Sequence, residues 1–345
     1  VEEALVEAQK AFDVRRPSAV VPGLLAARRV MASLPASHWV EVKRRELDQL
    51  IIAASGVWVE AEAEEPSVAP GDTVSISAVA INRGPLPVVL RAVAAAEGEA
   101  VSPNEVLASN QPIRTPLTVA VAGTAPVTAP AWLREPPSAG LYRVEAAAAI
   151  EGAPQPPLAT RFVLALDGEE VHVSVPVVHR TVDPVRGERL RLATVLPPVT
   201  AAMENGVVIF PNAQPRAVRV RLTAMRAARG VLRVDLPPPW RSEPAELAFS
   251  LASRGDEALL EVTITPPAQP STAVARLEVE VDGRRSAWRS FEVDYDHIPP
   301  TTVLLPAQVK VVHEPVQIAG RRVGYVMGPG DEVPDVLRQL GYEVT

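Results

Sequence analysis

VAPGDTVSISAVAINRG, residues 68–84, is the stretch on which the fold turns. Pro70-Gly71-Asp72 reads as a turn. After it, apolar side chains fall on every second position: Val74, Ile76, Ala78 and Ala80. A period of two turns one face of an extended strand toward a core and the other toward water. Asn82-Arg83-Gly84-Pro85 ends the run, and Val88-Val89-Leu90 starts another. This order of turn and strand opens many immunoglobulin-like sandwiches. Upstream, VWVEAEAEE from Val57 alternates in the same way. Downstream, PSAGLYRVEAAAAIEG sets Gly140 and Tyr142 before a further alternating strand, a place where such sandwiches anchor a tyrosine hydroxyl on upstream backbone. The spacing therefore predicts a first sandwich over 57–167.

A second sandwich is expected over 168–297. Its strands fall at Val171–Val178, Leu190–Leu192, Gly206–Phe210, Ala217–Ala224, Gly230–Asp235, Leu247–Leu251, Ala258–Thr265, Thr272–Val281 and Trp288–Val293, with turn residues between them and Asp282-Gly283 as a hairpin signal. Before the sandwiches, residues 1–56 change to helical spacing. Leu5, Ala8 and Phe12 share one face; Leu24, Leu25, Arg28 and Met31 share another. In SHWVEVKRRELDQLIIAASG, Ser37 is the expected N-cap and Gly56 the expected stop, with Trp39, Val42, Leu47, Leu50 and Ile51 as the buried stripe. Helices this short need a neighbour to pack on, either the sandwich that follows or a domain before Val1. At the other end, DYDHIPPTTVLLPAQ around 294–308 is expected to be a proline-rich linker. RRVGYVMGPGDEVPDVLRQLGYEVT, 321–345, reads as strand, Gly-Pro-Gly turn, helix and the opening of a second strand. This is a βαβ unit cut short, so 298–345 is taken as linker plus a truncated α/β segment. The opening Val1 suggests a cut there too.

The totals fit this mainly β class, in which N-terminal helices precede two immunoglobulin-like sandwiches and the start of an α/β unit. Hydrophobic residues make up 47% of the 345, enough for packed cores, and 36 prolines, about twice average usage, disfavour helical bundles. The net charge of −7 argues against a nucleic-acid partner. No cysteine occurs, which excludes disulfides, thiolate metal sites and cysteine nucleophiles from these residues. No apolar run approaches the roughly 20 residues of a membrane helix.

Candidate sites are few. Asp294, Asp296 and His297 in DYDHIPP form a small metal-ligand-type cluster, with a polar linker as the simpler reading. Gly328, Gly330 and Asp331 form a strand–helix turn whose N–H groups suit an anion, although Asp331 would itself cap the helix. His172 and His179 lie an odd number of positions apart and are read as isolated strand histidines. Arg216, Arg219, Arg221, Arg226, Arg229 and Arg233 form the most basic stretch, read as a solvated sheet face. Among five tryptophans, Trp132 in APAWLREPPSAG is the candidate for an exposed sugar platform. Trp240, after three prolines, is a second sugar candidate that could instead cap a core. Trp39, Trp58 and Trp288 lie in regular elements and are expected to be buried.

The order of these pieces resembles the multidomain bacterial deacetylases of the PIG-L (LmbE-like) family. AFDVRRPSAVVPGLLAARRV, VAPGDTVSISAVAINRG, YDHIPPTTVLLPAQVKVV and the final RRVGYVMGPGDEVPDVLRQLGYEVT carry the resemblance. Residues 230–267 resemble the immunoglobulin-like accessory domain found beside α-galactosidases. The resemblance implies a zinc-dependent deacetylase domain first, then a helical extension, immunoglobulin-like domains and a glutamine-amidotransferase-like domain. The family's metal motif, His-x-Asp-Asp, is absent: His38, His172, His179, His297 and His313 are each followed by other residues. The implied chemistry, zinc-assisted removal of an N-acetyl group from an amino sugar with a carboxylate as base, would therefore lie upstream of Val1. On this reading the chain has no catalytic, metal or cofactor residues of its own. Zinc belongs to the parent, the partner is the upstream domain with a glycan as a further ligand, and the protein is exported. The other reading is a stand-alone carbohydrate-binding or adhesion protein.

Overall fold

The computed structural model describes residues 1–345 apart from 96–97, 136–137, 139 and 145–155. It is mainly β and divides into two compact units. The first comprises Val1–Thr128, Ala153–Val195 and Tyr295–Pro300; the second comprises Ala129–Gly152, Leu196–Asp294 and Thr301–Thr345.

Three helices open the first unit: α1 (Glu2–Lys10), α2 (Val21–Ala32) and α3 (His38–Ser55). The Ser37 hydroxyl accepts the Val40 N–H at 3.3 Å, and Gly56 ends α3 at φ 77°, so both expected caps form. Ala8, Leu24, Leu25, Met31, Leu47, Ile51 and Ile52 are buried in one core with the sandwich that follows. Inside it, Arg28 Nε donates to Asp48 Oδ1 at 2.6 Å, with only 17% and 7% of the two side chains exposed. The expected apolar faces are only partly used. Phe12 is 63% exposed, Trp39 68% and Leu50 51%, whereas Leu47, Ile51 and Ile52 are buried in the core shared with the sandwich.

The strands of this unit are β1 (Val57–Ala63), β2 (Ser67–Val68), β3 (Thr73–Asn82), β4 (Val88–Ala95), β5 (Glu105–Val106), β6 (Ile113–Ala120), β7 (Ala159–Leu166), β8 (Glu169–Asp183), β9 (Gly187–Leu192) and β10 (Thr194–Val195). One layer is β1–β3–β6 and the other β5–β4–β7–β8, all antiparallel. β8 is long enough to pass from one layer to the other. There it meets β1 in parallel, Ala61 beside Val177 and Glu62 beside Val178, and then pairs with β9. First strand against last in parallel, with hairpins between, is immunoglobulin-like connectivity. Val74, Ile76, Ala78 and Ala80 of β3 point inward as their spacing requires. The strand expected after Tyr142 lies outside the described residues; Tyr142 itself is 57% exposed in irregular chain.

The expected boundary at 167/168 falls inside a hairpin. Asp167 and Gly168 both have positive φ, 48° and 78°, the geometry of a two-residue turn that returns β7 into β8. β8 and β9 therefore belong to the first sandwich.

The second unit holds β11 (Val199–Met203), β12 (Val207–Phe210), β13 (Arg216–Ala224), β14 (Ala228–Asp235), β15 (Arg241–Glu243), β16 (Leu247–Leu251), β17 (Glu257–Thr265), β18 (Ser271–Val281), β19 (Arg284–Ser286), β20 (Trp288–Val293), β21 (Thr301–Pro306) and β22 (Gln308–His313). Its layers are β11–β13–β17–β15 and β12–β22–β18–β14–β16, again with an early strand, β12, parallel to the last, β22. The 294–308 stretch is not a linker: β21 pairs with β20, and β22 is a central strand of the sheet. Prolines in this stretch flank the strands rather than interrupt them, so they do not signal a linker.

Beyond β22, β23 (Arg322–Val323) lies parallel to β24 (Glu343–Val344) around the helix Val333–Leu340, the expected βαβ order. Gln339 ties that helix to the sandwich edge. Its side-chain amide accepts from Ile209 N at 2.8 Å and donates to Val207 O at 3.1 Å, so it stands in for a neighbouring strand along β12.

Candidate functional sites

Asp331 consumes the donors that an anion at the 328–331 turn would need. Its carboxylate accepts from Val333 N at 3.1 Å and from the Tyr325 hydroxyl, and the Gly328 N–H also reaches it. These bonds, the tyrosine's first, hold the Asp331 carboxyl below its ordinary range, and the same contact pushes the Tyr325 phenol up. The turn is closed on itself.

The DYDHIPP residues do not gather around a common point. Asp296 pairs with Arg186 at 3.2 Å, and the His297 ring packs near Tyr295 with centroids 5.8 Å apart. His179 Nδ1 bonds to Ala63 O at 3.0 Å, and His313 Nδ1 to Gln269 O at 3.1 Å. Among the described residues no group of three or more His, Asp or Glu could hold a metal ion. No helix among the described residues is long and apolar enough to cross a membrane.

The arginine stretch is an ion-paired surface. Arg221 reaches Glu257 at 2.7 Å and Glu204 at 3.3 Å, and Arg219 reaches Glu204 at 3.5 Å. Arg233 bridges Glu246 and Glu280, both at 2.7 Å, and Arg226 meets Asp282 at 2.9 Å. Arg216 departs from the pattern. It is turned in beside β12 and donates to Ile209 O at 3.1 Å, and burial pushes its guanidinium below its usual pKa.

The tryptophans divide differently from expectation. Trp240 is 4% exposed, edge-on to Phe210 at 5.4 Å, with Nε1 donating to Ser271 Oγ at 3.1 Å. It has no free face for a sugar, because it is packed into the core of the second sandwich. Trp132 is 49% exposed in a single 3-10 turn, Ala131–Leu133. Trp39 and Trp58, expected to be buried, are open, and the Arg83 guanidinium lies 5.7 Å above the Trp58 ring.

Two concavities draw on residues that sequence reasoning did not assemble. In the first unit an apolar groove of about 460 Å³ runs along the helices, lined by Val1, Leu5, Leu34, Trp39, Leu47 and Leu50. In the second unit a polar cleft of about 300 Å³ lies between the outer face of β18 and the base of the β20–β21 hairpin. Arg276, Glu278, Arg285, Ser286, Trp288 and Gln308 line it. The alternation Arg276, Glu278, Glu280 and the Asp282-Gly283 turn were the available signals. The cleft stayed hidden because its far wall, β21 and β22, reads as linker.

No family profile matches the chain, and no curated protein does. Solved structures align loosely. Escherichia coli α-2-macroglobulin in its native conformation covers 75% of this chain at 9% identity and a TM-score of 0.24, and this chain spans only 17% of that one. A protein of unknown function from Porphyromonas gingivalis W83 covers 75% at 14% identity and a TM-score of 0.19, over 99% of its own length. Spo0M, a sporulation control protein from Bacillus subtilis, covers 73% at 11% identity and a TM-score of 0.23, over 90% of its length. At these scores they carry no argument about what this chain does.

Proposed function

We propose that this chain is a scaffold: immunoglobulin-like sandwiches that space and present, with helices that seat a folded domain preceding Val1 on the same polypeptide. The helical groove carries this reading. Leu5, Leu34, Trp39 and Leu50 are 40–68% exposed around one continuous apolar concavity, an arrangement that marks interaction surfaces. Val1 itself lines the groove, so any polypeptide before it is delivered to that surface. The PIG-L resemblance names the occupant, a zinc-dependent domain that hydrolyses N-acetyl groups of amino sugars and holds the metal itself. On that resemblance the protein is expected to be exported.

The test uses the full-length gene product. Trp39→Glu with Leu50→Glu should free the preceding domain, seen as a new protease-sensitive junction ahead of Val1 and independent unfolding of the two parts. A reading frame without a His-x-Asp-Asp domain upstream would remove the deacetylase assignment. An unaltered protease pattern in the double variant would remove the docking role.

A further inference from the structure

The cleft beside Trp288 has features that spacing two domains does not require, and its chemistry is independent of the scaffold role. On β18 the odd positions Ala275, Leu277, Val279 and Val281 are buried, so Arg276, Glu278 and Glu280 share the outward face. Strand register sets Gln308 of β22 beside Arg276 and brings Arg285 of β19 opposite Glu280. Glu280 is fully engaged: Arg233 bonds it at 2.7 Å and Arg285 Nε at 3.1 Å, and these two bonds, in that order, hold its carboxyl below the usual range. Glu278 is not. Arg276 and Arg285 flank its carboxylate at 3.7 and 3.8 Å, close enough to neutralise it and too far to hydrogen-bond. The side chain is nevertheless only 23% exposed. A partly buried carboxylate between two guanidinium groups keeps its acceptor sites, and the arginines keep donors, directed into one small space. Trp288, half-buried at the foot of the hairpin, supplies an apolar wall.

We propose that this cleft is a saccharide subsite that takes one pyranose ring with vicinal hydroxyls. One hydroxyl would donate to Glu278 while its neighbour accepts from Arg276 or Arg285, each inserting where the ion pairs are too long to close. Gln308 supplies both a donor and an acceptor at the rim. The indole receives the C–H face of the ring, burying apolar surface without an unpaired polar group. A volume of about 300 Å³ is at the lower end for small-molecule pockets, and suits one sugar ring rather than an extended cofactor.

The experiment screens the intact chain against an array of defined hexose, N-acetylhexosamine and hexuronate oligomers, then titrates the strongest binder while following the Trp288 indole N–H in a 1H–15N spectrum. Saturable binding that shifts that resonance is expected. Trp288→Ala should weaken it at least tenfold, and so should Glu278→Gln, which preserves size and leaves the hydrophobic packing untouched. Trp132→Ala should leave it unchanged. The proposal is overturned by absence of binding across the array. It is also overturned if binding survives Trp288→Ala and Glu278→Gln in variants whose circular dichroism matches the parent, or if it follows Trp132 instead.

Discussion

Gly84→Ala tests whether the helices and the first sandwich are one packed body. A Cβ built on Gly84 would sit 1.8 Å from the Ser55 carbonyl oxygen and 2.9 Å from its carbon. Ordinary C···O contact is about 3.3 Å or more, so the two backbones must part by roughly 1.5 Å. Both are pinned. Ser55 is in the last turn of α3, while Arg83 N donates to Gly56 O at 2.9 Å and Gly84 N to Asn82 Oδ1 at 3.0 Å. Overpacking of this kind costs about 1–3 kcal/mol, and each hydrogen bond lost about 1 kcal/mol. The expected destabilisation is therefore about 3–5 kcal/mol, a large share of the ~5–15 kcal/mol of a typical domain. Urea unfolding followed by far-ultraviolet circular dichroism measures it as a fall in the midpoint of the first unit. Gly324→Ala is the control: nothing lies within 4 Å of the added carbon there, and the backbone is not left-handed. Its effect should stay within about 0.5 kcal/mol. If Gly84→Ala costs less than about 1 kcal/mol while the control behaves, the close crossing of the α3 end over the turn after β3 is not a structural constraint.

Further predictions concern charges. Asp48→Asn should destabilise the first unit by about 3–5 kcal/mol because Arg28, with only 17% of its side chain exposed, is left without its partner. Arg28→Met with Asp48→Leu should recover most of that loss, and the same urea titration reads both. Asp256 accepts from Ala252 N at 2.9 Å and from Ser253 N and Oγ at 3.0 and 2.8 Å; bonds from the Ser253 hydroxyl first, then from the backbone, hold its carboxyl below the usual range. A folded-state pKa below the unfolded one gives stability that is present above the ordinary carboxylate pKa and lost as pH falls through the depressed value. Asp256→Asn should therefore flatten the acid limb of the second unit's thermal midpoint and lower the neutral plateau. An acid limb as steep as the parent's would contradict the assignment.

Much of the architecture was legible because its signals are local. The alternation of β3, the Asp282-Gly283 hairpin and the caps at Ser37 and Gly56 each depend on a few adjacent residues. What failed was non-local. Asp167-Gly168 looked like a boundary because turn chemistry is the same within a domain and between domains; only the pairing of β7 with β8 distinguishes them. Thr301–Pro306 and Gln308–His313 carry strand-like runs, but flanking prolines outweighed them, and with them went the wall of the Trp288 cleft. The tryptophans show the same limit. Periodicity says which residues share a face, whereas whether anything covers that face depends on the partner. So Trp39 and Trp58 stand open on regular elements while Trp240, in a proline-rich loop, is enclosed.

The parallel contact between β12 and β22 runs over four residue pairs, from Val207 beside Lys310 to Phe210 beside His313. Were the polypeptide drawn taut between the start of β12 and the end of β22, those two strands would slide along each other in opposite directions. Their hydrogen bonds would then be strained sideways and together, instead of being unzipped one at a time.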